Sequence, residues 1–303
     1  MARHRWWVAA VAVMVTMGCG STPDEPEPIR WPKSHGTGAV EFGGRRVNVH
    51  VPESYDPVRP PPLVIGLHGY SSNANELEAY FKLGQEAERL GFVYARPEGT
   101  VDDRGDQFWN ATDACCAFYG PEPDDSRYLS ELIAAMQQEY RIDRSRVYLI
   151  GHSNGGFMAF RMACDHADQV TAIVSLNGAT WNDADKCRPS EPVGVLAVHS
   201  SADETIAFEG GSNGTGDYPS AATTVSRWRG YDRCAGDVRD APALDLVTDL
   251  PGPETTVRTS GDDCAGGATV ESWTINGGSH VPQLAYEFTP AVTRFLMSQA
   301  NPS

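Results

Sequence analysis

Apolar residues recur along this chain in two alternating rhythms. Short unbroken runs, of the kind that fill strands buried on both faces, occur at residues 63–67, 92–95, 147–150, 172–176 and 193–198. Between them, apolar positions return every three or four residues, the period of an amphipathic helix. These segments are residues 76–90, closed by Gly91; 125–140, with Tyr128, Leu129, Leu132, Ile133 and Met136 on one face; and 154–164. Residues 39–42 and 45–51 flank Gly43-Gly44, which predicts an antiparallel hairpin, because a tight two-residue turn needs positive φ. A helix at 221–231, a strand at 269–275 and a helix at 290–297 complete the order. Strands alternating with helices behind a leading hairpin predict an α/β fold: a mostly parallel central sheet with helices on both faces.

Charge removes some functions. The 303 residues carry 24 Lys and Arg against 40 Asp and Glu, a formal charge of -16, which repels phosphate backbones and argues against nucleic-acid binding. No apolar stretch reaches the roughly 20 residues of a membrane-spanning helix. The N-terminal run, residues 6–17, follows Arg3, His4 and Arg5 and ends at Met17-Gly18-Cys19. It reads as an export signal over residues 1–18 of the bacterial lipoprotein type, with Cys19 as the lipidated residue, although Thr16 stands where leucine is usual. Residues 19–35, with Pro23, Pro26, Pro28 and Pro32 among acidic side chains, read as an extended tether, and residues 36–303 as the catalytic domain.

The chemistry concentrates in Gly151-His152-Ser153-Asn154-Gly155, a G-x-S-x-G motif between an apolar strand and an apolar helix. Such a strand-to-helix turn lifts a serine hydroxyl above the sheet, with glycines where side chains would collide. A serine nucleophile needs a base, and in this arrangement an acid and then a histidine follow it in the chain. His280, in Gly277-Gly278-Ser279-His280, is the histidine that lies beyond an acid placed just after a strand. That acid is Asp203, past the run 193–198, with Glu204 as its neighbouring competitor. Two backbone N–H groups are needed for the oxyanion: Asn154, after the nucleophile, and Tyr70, in the turn after the strand 63–67. His68 is expected to be a structural hydrogen bonder, and the His152 side chain to point away from the hydroxyl.

These segments, together with Leu67-His68-Gly69-Tyr70-Ser71-Ser72, Arg96-Pro97-Glu98-Gly99, Trp109-Asn110-Ala111-Thr112 with Cys115-Cys116, and Ala202-Asp203-Glu204-Thr205-Ile206, occur in the order of a known family. Over residues 36–299 the chain resembles the polyhydroxyalkanoate (polyhydroxybutyrate) depolymerases and feruloyl or carbohydrate esterases of the α/β-hydrolase superfamily. The resemblance implies the α/β-hydrolase fold, with Ser153 as nucleophile, Asp203 as acid and His280 as base. Two departures bear on substrate: no tryptophan follows His280 in Val281-Pro282, and His199-Ser200 replaces the usual His-Gly.

With Cys19 set aside, six cysteines remain, an even number that suggests disulfides in an exported chain. Cys234 with Cys264 and Cys164 with Cys187 are the expected pairs, leaving Cys115 and Cys116 adjacent. The cysteine and histidine spacings match no metal motif, and no cofactor is expected. The loop 99–124 gathers Phe108, Trp109, Phe118 and Tyr119; Trp109 and Tyr119 are the expected substrate contacts. The resulting expectation is a serine ester hydrolase, secreted or lipid-anchored to a bacterial membrane. It would act on a polyester or a feruloylated or acylated polysaccharide, with membrane contact only through the anchor. A serine peptidase of the same fold and a non-catalytic surface lipoprotein are the alternatives.

Overall fold

The computed structural model describes residues 29–260 and 263–301. The expected signal segment, Cys19 and the tether up to residue 28 lie outside the described residues. Within residues 29–35, expected as the end of the tether, Trp31 and Pro32 lie against the domain while their neighbours are exposed. Trp31 meets Phe42 and Tyr140 at ring distances of 5.9 and 6.1 Å, and the Tyr140 hydroxyl donates to the Pro32 carbonyl.

The hairpin pairs β1 (Gly36–Phe42) with β2 (Arg45–Val51) through Gly43 and Gly44, at φ 57° and 76°, values that favour glycine. Strand β3 (Leu63–Leu67) leads to α1 (Ala74–Phe81), α2 (Leu83–Leu90) and β4 (Val93–Pro97). The single helix expected over 76–90 is thus two. Lys82 at φ 56° caps the first by donating to the Glu78 carbonyl, and the Glu78 carboxylate accepts the Gly84 N–H. A ribbon of β5 (Thr100–Val101) and β6 (Gln107–Phe108) precedes α3 (Asp125–Glu139), whose N-cap Asp124 accepts the Arg127 N–H. Then come β7 (Val147–His152), α4 (Asn154–Asp165), β8 (Ala172–Leu176) and β9 (Gly194–Ser200). A second ribbon, β10 (Gly211–Ser212) with β11 (Asp217–Tyr218), leads to α5 (Ala221–Tyr231), β12 (Arg239–Leu244), β13 (Thr255–Ser260), β14 (Val270–Ile275) and α6 (Phe288–Ser298).

Ten strands form one sheet in the order β1-β2-β4-β3-β7-β8-β9-β14-β13-β12. The run from β4 to β14 is parallel, and both ends are antiparallel. Because successive side chains point to opposite faces, the unbroken apolar runs feed two cores. Leu63, Ile65 and Ile173 pack under α3 and α4 with Phe157 and Leu132; Val64, Val174 and Leu176 pack under α1, α2 and α6 with Phe81 and Phe288. The hairpin β12–β13 has no counterpart in the hydrophobic pattern. It sits at the sheet edge, is largely exposed along β12, and carries Pro242, which an edge strand tolerates.

Among the described residues, three disulfides tie the loops: Cys115–Cys116, Cys164–Cys187 and Cys234–Cys264. The second joins α4 to the loop after β8; the third fastens the end of α5 to the segment before β14.

Asp232, at the end of α5, is fully buried. One carboxylate oxygen accepts the Val193 N–H at 3.1 Å, and the other has no hydrogen-bond partner among the described residues. Burial pushes its carboxyl up to about 7. From the ordinary 3.8 to about 7, the folded protein holds a proton that the unfolded chain has released. Stability from this group therefore falls as pH rises through that window, by up to about 1.4 kcal/mol per pH unit. Asp232→Asn is expected to gain stability relative to wild type between pH 5 and pH 8, read from urea midpoints. Parallel profiles for the two proteins would exclude this carboxyl as the titrating group.

Candidate active site

The strand order reverses beside β3: β4 lies on one side of it and β7 on the other. Loops leaving the carboxyl ends of β3 and β7 therefore diverge and open a crevice there. Ser153 stands at the end of β7, at φ 54° and ψ -119°, between the strand and α4. Its N–H donates to the Leu176 carbonyl at 2.8 Å, and its carbonyl accepts the Phe157 N–H. A strained backbone of this kind costs on the order of 1–3 kcal/mol and persists only where its surroundings over-determine it. Here close packing does so: a Cβ on Gly155 would lie 2.0 Å from the Leu67 carbonyl oxygen.

The Ser153 hydroxyl is 2.8 Å from His280 Nε2, and His280 Nδ1 is 2.8 and 2.9 Å from the two oxygens of Asp203. The same carboxylate accepts the N–H groups of Thr205 and Ile206, each at 2.8 Å. Burial alone would raise the Asp203 carboxyl. The hydrogen bond and charge of His280 and the two amide bonds outweigh it and hold the group below the ordinary carboxylate range. Glu204 does not reach the ring; its carboxylate accepts the His280 backbone N–H at 3.3 Å.

A Cβ on Gly69 would sit 3.5 Å from Ser153 Cβ, so the turn 68–70 runs alongside the serine. Neither the Tyr70 nor the Asn154 N–H donates to another protein group among the described residues. His68 accepts the Gly99 N–H on Nε2 at 2.9 Å, so its proton sits on Nδ1 and donates to the Gly69 carbonyl at 2.8 Å. Burial pulls its pKa down to about 4, and the ring is a neutral brace, as expected. His152 is likewise held near 4 by burial. Its Nε2 donates to the His280 carbonyl at 2.9 Å, so the ring leans across the site onto the histidine loop.

Two asparagine side chains were not legible as site residues. Asn177, at φ 55° just after β8, donates to the His280 carbonyl at 2.8 Å and accepts the Ser200 N–H at 2.7 Å. It thereby joins the histidine loop to the end of β9. Its only sequence signal is an Asn-Gly directly after a buried strand. The Asn154 side chain accepts the Trp109 N–H at 2.7 Å, donates to the Trp109 carbonyl at 2.8 Å, and lies 3.3 Å from Cys115 Sγ.

Trp109 corrects an expectation. It is fully buried, with its indole N–H on the His68 carbonyl at 3.1 Å, and presents no surface to a ligand. The size that suggested an aryl wall serves instead to fill the space between the turn 68–70 and the loop. Tyr119 is 39% exposed, with the Arg104 guanidinium 3.3 Å above its ring. Phe118 links it to Tyr70 at ring distances of 6.3 and 5.3 Å, and the Tyr70 hydroxyl donates to Asp102 at 2.7 Å. Tyr70, Phe118 and Tyr119 thus form a chain of aromatic rings leading away from the turn 68–70.

A serine on a sharp strand-to-helix turn, bonded to a late histidine above a mostly parallel sheet, is the arrangement of α/β-hydrolases. The solved structures agree on the fold. Acetyl xylan esterase from Aspergillus awamori superposes with a TM-score of 0.61 at 14% identity, over 86% of this chain and 99% of that one. A thermostable esterase gives 0.54 at 14% identity, over 88% and 63%. Residues 43–234 match the family model described as "Putative esterase", and the chain belongs to this esterase family of carboxylic ester hydrolases. Among curated relatives, "Putative esterase NocK" of Nocardia uniformis subsp. tsuyamanensis is 30% identical over 76% of this chain and 68% of its own length. Feruloyl esterase B of Piromyces equi is 25% identical over 78% of this chain. The bifunctional acetylxylan esterase/xylanase XynS20E of Neocallimastix patriciarum is 25% identical over 80%. The chain spans only 42% and 32% of the lengths of these last two.

Asn154→Ala removes the clamp and leaves the Trp109 N–H unpaired in a buried site, while the Trp109 carbonyl keeps only the Cys116 N–H at 3.3 Å. It should cost about 1–3 kcal/mol of stability and lower kcat as the loop drifts from the serine turn. Urea unfolding and ester kinetics check both effects; a variant as stable as wild type would mean the loop is held elsewhere.

Proposed function

We propose that this protein is an exported serine ester hydrolase that works through an acyl-enzyme on Ser153. The observation that carries the reading is the unbroken line of hydrogen bonds from the Ser153 hydroxyl through His280 to Asp203, beside two undonated backbone N–H groups. In this reading His280 Nε2 takes the hydroxyl proton as Ser153 Oγ attacks the ester carbonyl carbon. The carbonyl oxygen becomes an oxyanion held by the N–H groups of Tyr70 and Asn154. Asp203, kept ionised across neutral pH, stabilises the imidazolium and fixes its orientation. Collapse expels the alcohol, which takes the proton from His280. Water then enters, gives a proton to the same nitrogen as its oxygen attacks the acyl carbon, and the acid is released when the bond to Ser153 Oγ breaks and Oγ takes the proton back from His280.

Membership of an esterase family supports ester over amide as the bond cleaved. Relatives named feruloyl and acetylxylan esterase support an acylated polysaccharide as substrate. With Trp109 buried, the reading places an aryl acyl group against Phe118 and Tyr119. Three disulfides support an oxidising compartment outside the cytoplasm. Attachment through Cys19 remains part of the proposal: Cys19→Ser should move the protein from the detergent phase to the aqueous phase, and wild type found wholly in the aqueous phase would remove the anchor.

Ser153→Ala should lower kcat on a p-nitrophenyl ester by at least about 1,000-fold while leaving the melting temperature within a few degrees of wild type. Near-normal turnover would put the nucleophile elsewhere. Tyr119→Ala should raise KM for a hydroxycinnamoyl ester severalfold more than for an acetyl ester, since lost stacking area affects the larger acyl group. Equal effects on the two esters would remove the aryl assignment.

A further inference from the structure

Helix α5 stands away from the antiparallel end of the sheet, and between them lies a cavity of about 420 Å³, within the size range of small-molecule sites. Strand alternation explains its floor. Val257 and Ile275 point into the core beneath α6, so their neighbours Arg258 and Thr274, together with Ser272, face α5. Ala197 of β9 continues this floor, Ala221 and Val225 of α5 form the wall, and Phe208 lines it as well.

The lining has two chemical parts. Ala197, Phe208, Ala221 and Val225 offer hydrocarbon, whereas Arg229 and Arg258 bring two guanidiniums against the single carboxylate of Asp240. In a chain of formal charge -16 that local excess of positive charge is against the trend. Arg258 pairs with Asp240 at 3.2 Å. Arg229 donates through Nη2 to the Gly236 carbonyl, and its buried Nε has no hydrogen-bond partner among the described residues. None of Ser153, His280, Tyr70 or Asn154 lines this cavity. It meets the candidate active site through His199, whose Nε2 donates to the Ile206 carbonyl at 2.8 Å and lies 3.7 Å from Asp203.

We propose that this cavity is a second binding site, for an amphipathic carboxylic acid. Its hydrocarbon or aryl body lies on the Ala197–Val225 surface against Phe208, and its carboxylate is drawn to the two guanidiniums. Ester hydrolysis releases an acid, so this family's reaction supplies a ligand of that class. An occupant here touches His199 and Phe208, whose rings pack against each other beside the Asp203 turn. Bound acid therefore alters turnover without competing with the ester for Ser153.

The test titrates wild type, Arg258→Glu and Val225→Trp with 3-phenylpropanoate by calorimetry, with 3-phenylpropanol as the uncharged control. Wild type should bind the acid at least about tenfold more tightly than the alcohol. Arg258→Glu, at an exposed position, should weaken acid binding by a similar factor, and Val225→Trp should fill the cavity and abolish it. Both variants should hydrolyse a soluble acetyl ester as wild type does in the absence of acid, and wild type should show non-competitive inhibition or activation by it. Unchanged binding in both variants, equal affinity for the alcohol, or purely competitive inhibition would overturn the proposal. Binding is measured without turnover, so failure of the Ser153 reading would appear separately, as absent hydrolysis by wild type.

Discussion

The turn at Ser153 is the constraint on which the rest of the site depends. A serine at positive φ is disfavoured, and it is held because α4 is pressed against β3 so closely that residue 155 can carry no side chain. That contact does two things at once. It exposes the hydroxyl above the sheet, and it brings the first N–H of α4 beside the turn that follows β3. A helix begins with unpaired N–H groups, so a backbone donor beside the hydroxyl comes with the geometry.

Around this turn the polar groups are braced mainly through the backbone. Asn177 and His152 grip the His280 carbonyl, Glu204 takes its N–H, and Asn154 holds both backbone groups of Trp109. Burial adds discrimination among the histidines. His68, His152 and His199 are all pushed toward the neutral form by loss of water, and each is tied to a carbonyl oxygen. Of these four, His280 is the one that joins a carboxylate on one nitrogen to a hydroxyl on the other. Four histidines stand close together, and their surroundings give them different work.

Large aromatic side chains divide in the same way. Trp109 and Phe108 are fully buried and support the loop; Phe118 and Tyr119, about ten residues later, remain partly exposed. Composition cannot separate these two uses, because an indole that fills a core and one that meets a ligand are equally apolar. What separates them is whether neighbouring atoms satisfy the ring N–H and cover its faces.

The order of strands and helices, the leading hairpin and the Gly-x-Ser-x-Gly turn were legible in the sequence because each rests on local chemistry: apolar period, positive φ, and glycine where backbones collide. The pairings Cys164–Cys187 and Cys234–Cys264 were legible from their placement relative to those elements. The break at Lys82 was not, since helix period continues across it, and the edge hairpin β12–β13 was not, since exposed polar strands carry no apolar run. The structure turns Asp203 rather than Glu204 toward the imidazole, the choice already made from its place after the run 193–198, whereas tertiary structure alone decided that Asn154 and Asn177 brace the site and that Trp109 is hidden. Each of these outcomes depends on where a side chain points once distant segments meet, and adjacent residues on a turn point in different directions whatever their chemical likeness.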